Sequence, residues 1–244
     1  PEEKKHHYLE KIVYMPNSFM VNDTKTKLSN KFFTRGETGL PTNGFVFCCF
    51  NNHYKITLDI FIGWMRILKA VEGSVLWLTD GNSTAVINLK KEAKKNGVDE
   101  NRLIFAPRLD SMKDHLNRIQ LSDLFIDTLP YNAHATTSDA LRMGLPVLTC
   151  VGNSFASRVA ASLLNAVNLP ELITTTQEQY ESLAIQLATH PEKLKIIKDK
   201  LVNNLPIAPL YDTPLFTQQL ESAYLTMYER YQQGLDPDDI YVKH

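Results

Sequence analysis

The sequence predicts an α/β fold, a Rossmann-like doubly wound parallel sheet with a C-terminal helix. Two observations carry that expectation. Short runs that are apolar throughout recur along the chain, and segments with apolar residues at helical spacing lie between them. Strands that are apolar on both sides belong to a parallel sheet covered on both faces. Ligands of such sheets sit outside the carboxyl ends of the strands, so the residues just after each run are the ones to read for function.

The expected strands are Gly44–Phe50, Ser74–Leu78, Leu103–Ala106, Leu124–Asp127, Pro146–Thr149 and Glu171–Thr174. The first helix spans Thr57–Val71, where Ile60, Phe61, Trp64, Ile67, Leu68 and Val71 share one face. Ser83–Asn96 follows and stops at Gly97, then Asp110–Ile119, Thr136–Met143, Ala156–Ala166 and Gln177–Thr189. Lys193 to Lys200 holds four lysines spaced as a solvated helix face. Residues 41–205 thus form the sheet domain. Residues 1–40 are polar and irregular apart from Tyr8–Met15, and read as an arm from the end of a larger N-terminal part. Residues 206–244 form a C-terminal helical segment, with Phe216, Leu220, Tyr224, Met227 and Tyr231 on one side. That side needs an apolar surface to lie on.

Composition excludes several classes. A net charge of −1 with 22% charged residues gives no footprint for nucleic acid. No apolar run reaches the roughly 18 residues of a membrane span, and no signal peptide opens the chain. Cys48, Cys49 and Cys150 lie in apolar strand runs without a CxxC, so they read as buried reduced thiols and point to a cytoplasmic setting. The chain lacks GxGxxG, GxxxxGK[ST] and any zinc-ligand spacing, which argues against a nicotinamide cofactor, a P-loop and a structural metal.

What remains follows three strand ends. After Leu124–Asp127 comes Pro130–Leu141, a loop that delivers a helix N-terminus to the sheet edge. Such an end favours phosphate. His134, Thr136, Thr137 and Asp139 fall within it: donors for a diphosphate and a carboxylate for ribose hydroxyls. The same residues also read as Thr136 capping the helix with Asp139 as its capping-box acid. After the first strand, Asn52 and Lys55 sit where a diphosphate would lie, and a lysine there can neutralise charge on a leaving phosphate. After the third, Arg108 and Leu109 precede His115 and Arg118, which share a helical face. An imidazole there can stack on a base while a guanidinium reaches its edge.

The motifs Tyr14–Phe19 with Asn22-Asp23, Cys49–Ile56, Gly73–Leu78, Arg102–Arg108, Asp127–His134 and Phe155–Ser162 run in order over nearly the whole chain. Together they resemble the C-terminal half of the catalytic region of the bacterial-type protein O-GlcNAc transferases. The resemblance implies the second half of a GT-B glycosyltransferase. It also implies inverting, metal-independent transfer of GlcNAc from UDP-GlcNAc to protein Ser/Thr, with no cofactor. By the same resemblance Lys55 and Asn52 meet the diphosphate, His115 stacks on uracil with Arg118 beside it, and Leu109 offers its backbone to the base. His134, Thr136 and Thr137 line the diphosphate and sugar, and Asp139 holds ribose. Ala135 stands where a Thr often follows the His. The implied partners are an N-terminal catalytic half, tandem helical repeats and protein acceptors. Asn51-Asn52 also resembles the protein O-fucosyltransferase branch, which uses GDP-fucose, so the donor stays open between the two. A nucleotide-sugar-binding module without catalysis is the third reading.

Overall fold

The computed structural model describes residues 2–23 and 29–243, and the chain divides into two compact units, residues 26–205 and residues 1–25 with 206–244. In chain order the strands are β1 (Val13–Tyr14), β2 (Val46–Cys49), β3 (Val75–Thr79), β4 (Leu103–Ala106), β5 (Leu124–Ile126), β6 (Val147–Cys150), β7 (Ile173–Thr174) and β8 (Ile240–Tyr241). The helices are α1 (Leu58–Ala70), α2 (Ser83–Lys95), α3 (Met112–Ile119), α4 (Ala135–Arg142), α5 (Val159–Ala166), α6 (Gln177–Thr189), α7 (Pro191–Asn204) and α8 (Thr213–Gln232).

In the larger unit β2 to β7 form one sheet in the order β4-β3-β2-β5-β6-β7, and every neighbouring pair is parallel. The chain enters the sheet at its middle with β2 and builds outward to β4. It then crosses back to β5 and builds the other way. The carboxyl ends of β2 and β5 therefore flank the point where the strand order reverses, the position where doubly wound sheets hold ligands. β2, β5 and β6 are buried at every residue, so the all-apolar runs do mark strands covered on both faces. The three cysteines are free and buried. Burial pushes the Cys48 thiol up to about 12.

Local chemistry sets the helix starts. Thr57 caps α1 by accepting from the Ile60 N–H, Asn82 caps α2, and Thr176 caps α6. α1 buries Ile60, Phe61, Trp64, Ile67 and Leu68, the face its spacing predicts. Gly63 sits where α1 meets α6, and a Cβ there would come within 2.2 Å of Gln177 Nε2. Beneath that contact the Trp64 indole donates to the Tyr180 hydroxyl at 3.0 Å, which donates to the Asp127 carbonyl at 2.9 Å. Two elements depart from expectation. α5 begins at Val159 because Phe155–Ser157 form a 3-10 turn locked by reciprocal Ser154–Ser157 capping. α7 is a full helix burying Leu194, Ile197 and Leu201, of which the lysine spacing showed only the wet side.

The smaller unit joins the two chain ends. β1 pairs in parallel with β8, Tyr14 stacks on Tyr241, and Lys5 pairs with Asp239. Asn22 donates to the Leu210 carbonyl, and Thr213 donates to that of Asn22. The described residues 29–40 fall in the same compact unit as the sheet, where Arg35 donates to the carbonyls of Gly44 and Leu121 and pairs with Asp123 at 2.8 Å. On α8 the buried residues are Gln219 and Ala223, while Tyr224, Met227 and Tyr231 are exposed. The apolar side expected of this helix is thus largely in solvent. Among the described residues no helix is long and apolar enough to cross a membrane.

The Trp64–Tyr180–Asp127 chain yields a stability prediction. Tyr180→Phe removes the hydroxyl that accepts from the buried Trp64 indole N–H and should cost about 1–3 kcal/mol, read by urea unfolding at pH 7. A loss below about 0.5 kcal/mol would show that this chain of bonds does not hold α1 and α6 to the sheet.

Candidate functional site at the strand carboxyl ends

β2 exits into Phe50-Asn51-Asn52 and the 3-10 turn His53–Lys55. Asn51 is 1% exposed and anchors the turn, its amide donating to Asp127 Oδ1 at 3.2 Å and to Thr128 Oγ1 at 2.8 Å. His53 Nε2 lies 2.7 Å from the Thr79 carbonyl. Held at both ends, the turn leaves Asn52 in solvent and folds Lys55 back over the sheet. The Lys55 ammonium donates to the Asn132 carbonyl at 2.9 Å and sits 3.8 Å from the centre of the Tyr131 ring. Burial lowers its pKa, and the negative charge of Asp127 opposes that shift.

β5 exits into Asp127, which is 1% exposed. Its carboxylate accepts from Thr128 N, Ala133 N, Thr149 Oγ1 and Asn51 Nδ2. Burial nevertheless raises its pKa to about 6. Those bonds shape the Leu129–Ala133 loop. Thr128 Oγ1 donates to the Tyr131 carbonyl at 2.6 Å and Asn132 donates back to that of Thr128 at 2.8 Å. The loop ends at His134, which flanks α4 and lies 3.3 Å from the Ala156 carbonyl. Burial lowers the His134 pKa, so the ring is neutral at pH 7. At the first turn of α4 the N–H groups have no intrahelical acceptor and carry the positive end of the helix dipole. Thr136 is half-buried there. Thr137 is turned inward, 0% exposed, and its hydroxyl donates to the Ala133 carbonyl at 3.1 Å. Expectation placed both hydroxyls on one side, and the structure turns that of Thr137 inward. Asp139 is half-buried, and burial raises its pKa against the pull of Arg142.

The third strand end forms a cavity of about 370 Å³, lined by Phe50, Asn52, Gly81, Arg108, Leu109 and His115 among others. His115 meets the Phe50 ring edge-on at 5.4 Å. Arg118 reaches this cavity with only 4% of its surface exposed. Its guanidinium donates to the Pro107 carbonyl and to His115 Nδ1 at 3.1 Å, and stands beside the rings of Phe50 and Trp77. The helical spacing of 115 and 118 correctly put them on one face. It could not show that the arginine faces inward, where it donates to His115 Nδ1.

The structure thus groups Asn52, Arg108, Leu109, His115 and Arg118 at one cavity, and Lys55 with His134 and Tyr131 next to it through the Asn52–Lys55 turn. Thr136 sits in the first turn of α4 and Asp139 in the second, after an N-cap at His134, so the pair does not form the capping box the sequence also allowed. Sequence reading missed Asp127, Asn51 and Tyr131. A carboxylate ending an apolar strand was the available signal for Asp127. A larger cavity of about 470 Å³ lies at the opposite sheet end, lined by Arg35, Gly44, Asp123 and Lys198. Its charged groups engage one another, Arg35 and Lys198 on Asp123 and Lys195 on Asp199, so size alone does not make it the site.

Residues 25–220 match the family described as glycosyl transferase family 41. The chain belongs to glycosyl transferase family 41. It is 33% identical over 248 residues to the Arabidopsis thaliana protein named probable UDP-N-acetylglucosamine--peptide N-acetylglucosaminyltransferase SEC, covering 99% of this chain and 25% of that protein. It is 33% identical over 207 residues to the Caenorhabditis elegans UDP-N-acetylglucosamine--peptide N-acetylglucosaminyltransferase, covering 85% of this chain and 18% of the relative. The chain therefore spans about a quarter or less of the curated relatives. A Thermobaculum terrenum O-GlcNAc transferase mutant superposes with a TM-score of 0.74 at 31% identity over 78% of this chain and 37% of that one. Anabaena HepE in complex with UDP shares the fold, with a TM-score of 0.58 at 15% identity, over 79% of this chain and 51% of that one. The α/β sheet of family 41 is accordingly a GT-B half, as its residues led one to expect.

His115 makes the geometry testable. Burial and the neighbouring Arg118 charge lower its pKa from 6.5 to about 4. Between those values the unfolded chain takes up a proton that the folded chain refuses, so this group loses stability as pH falls. Asp127 does the reverse, because its folded pKa is raised from 3.8 to about 6 and the native state protonates first. The two oppose each other in nearly one window, so the site-specific measurement is ¹⁵N-imidazole NMR. Arg118 donates into Nδ1, so His115 should carry its proton on Nε2 and stay neutral down to about pH 4. A midpoint near 6.5, or an Nδ1–H tautomer, would contradict it.

Proposed function

We propose that this chain is the donor-binding half of a protein O-GlcNAc transferase that moves GlcNAc from UDP-GlcNAc to Ser/Thr hydroxyls, inverting the anomeric centre without a metal ion. The observation that carries this is the convergence, at the strand-order reversal, of a base-sized cavity with the Lys55 ammonium and the α4 N-terminus. Uracil would lie against His115 with the Leu109 backbone at its edge, and Asn52 and Arg108 would close the cavity rim. Asp139 would accept from the ribose hydroxyls. The diphosphate would run from there past His134 and Thr136 toward Lys55. The names of the relatives, peptide N-acetylglucosaminyltransferases that use UDP-N-acetylglucosamine, support this choice of donor and acceptor.

In the reaction the acceptor oxygen bonds to the anomeric carbon from the face opposite the diphosphate. The bond from that carbon to the β-phosphate oxygen breaks, and UDP leaves with the electron pair. Negative charge grows on the leaving phosphate as this happens. Lys55, the Thr136 hydroxyl and the free N–H groups of α4 would meet it with fixed dipoles and one charge. The acceptor proton would pass to a base on the parent protein's other catalytic half. Tandem helical repeats of that parent would present the acceptor protein, in a cytoplasm that suits three free thiols.

Calorimetry of the chain tests the reading. UDP should bind, and GDP should bind far more weakly; tighter GDP binding would move the donor to GDP-fucose. Asp139→Ala should weaken UDP binding by about 1.5–3 kcal/mol, and Asp139→Asn by less. A change in melting temperature with affinity intact would reduce Asp139 to a helix-start acid.

Lys55→Ala should lower kcat of the complete enzyme by roughly two to three decades while raising KM for the donor much less. Lys55→Arg should rescue only in part, because a planar fork places its charge differently from a compact ammonium. A folded Lys55→Ala enzyme within a few-fold of wild-type kcat would remove the lysine from the phosphate.

A further inference from the structure

Asp127 lies under the site and takes no part in the chemistry above, yet it shares a single peptide group with Lys55. The Ala133 N–H donates to Asp127 Oδ1 at 2.7 Å. The carbonyl of the same peptide unit, that of Asn132, accepts from the Lys55 ammonium at 2.9 Å. The arrangement reads ammonium, carbonyl, amide N–H, carboxylate: an ion pair bridged by one peptide bond. Both ends polarise that peptide in the same sense, and hydrogen bonds in series strengthen one another where water is excluded.

Three further contacts fix the carboxylate end. The Thr128 N–H and the Asn51 amide donate to the same oxygen, and Thr149 donates to the other at 2.8 Å. Asp127 is therefore held from β2, from its own loop and from β6. The ammonium end is steered sideways by the Tyr131 ring at 3.8 Å. A half-buried lysine loses hydration and tends to shed its proton. A countercharge in contact would prevent that but would also occupy the ammonium. A countercharge one peptide away supports the ammonium and leaves its remaining donors to a ligand.

We propose that Asp127 is a positioning residue for the phosphate site, supporting the Lys55 ammonium and aiming it through the Asn132–Ala133 peptide group. The proposal rests on the reading that Lys55 meets the diphosphate. The other titratable groups around the pair are Cys49, Cys150, Tyr180, His134 and Tyr131. Burial raises the thiols of Cys49 and Cys150 and the Tyr180 phenol above their ordinary values and lowers His134 below its own. Tyr131 is removed from the experiment by carrying Tyr131→Phe in every variant, which keeps the ring under the ammonium.

The test reads Lys55 directly. Trace acetic anhydride labelling across the alkaline range, followed by mass spectrometry of the peptide containing residue 55, gives the pH midpoint of that amine. Asp127→Asn keeps the side-chain shape and removes the charge. Its midpoint should fall by roughly half a unit to one unit. An unchanged midpoint in a folded Asp127→Asn chain overturns the proposal, since a purely structural residue would not move it. UDP affinity is the wrong readout for this variant, because the buried carboxylate also repels the incoming diphosphate.

Should Asp127→Asn fail to fold, reciprocity supplies a second measurement. Whatever Asp127 does to the Lys55 proton, Lys55 does to the Asp127 proton. The ¹³C-carboxyl titration of Asp127, with a midpoint of about 6 in the unaltered site, should move to higher pH in Lys55→Met. No movement overturns the proposal. Calorimetry of Lys55→Met with UDP separates the underlying reading. Wild-type affinity there would sink the phosphate role of Lys55 and leave the coupling to be judged by the two titrations.

Discussion

One buried carboxylate organises the ligand end of this fold. Asp127 stands at the carboxyl end of β5, beside the strand-order reversal, and collects donors from β2, from β6 and from the loop that leads to α4. Parallel strands end there in loops whose amides have no ladder partner, and a buried amide without a partner costs about as much as a lost hydrogen bond. The carboxylate satisfies several of them at once. Its own desolvation is the cost, seen in a pKa raised to about 6 even with four donors around it. The reward is a loop whose peptide orientation is fixed, and with it the position of Lys55, His134 and the start of α4.

The same economy recurs at the cavity. Arg118 is spent internally, on the Pro107 carbonyl and the His115 ring. A charged group buried against Phe50 and Trp77 does not present itself to solvent. It sets the tautomer and plane of an imidazole that does. Asn51 and Asn52 divide the work in like manner, one buried in the network and one exposed at the rim. Groups exposed at the strand ends are thus held by buried polar neighbours, which is how a site on strand ends is preorganised.

Much of this was legible in the residues. Apolar runs at β2, β5 and β6 announced strands buried on both faces, and the period of Ile60, Phe61, Trp64, Ile67 and Leu68 announced α1. The three clusters after the strand ends were visible because a doubly wound sheet holds its ligands outside the carboxyl ends of its strands. Facing direction was not legible. Thr137 and Arg118 turn inward because a helix start and a strand exit need their bonds, and one-dimensional spacing carries no sign for in or out. Asp127 looked like the last residue of a strand because its donors are 76, 22, 6 and 1 positions away. The pairing of β1 with β8 was hidden for a similar reason, two strands of two residues each, far apart in sequence and too short for any periodicity to declare them.

The central claim is that the carboxyl ends of β2, β4 and β5 form one nucleoside-diphosphate site. Amide chemical-shift mapping of the ¹⁵N-labelled chain during a UDP titration tests it most directly. Saturable shifts should cluster at Asn52, Leu109, His115 and the first turn of α4. Shifts confined to the larger cavity around Arg35 and Lys198 at the opposite end of the sheet, or none at millimolar UDP, would contradict it.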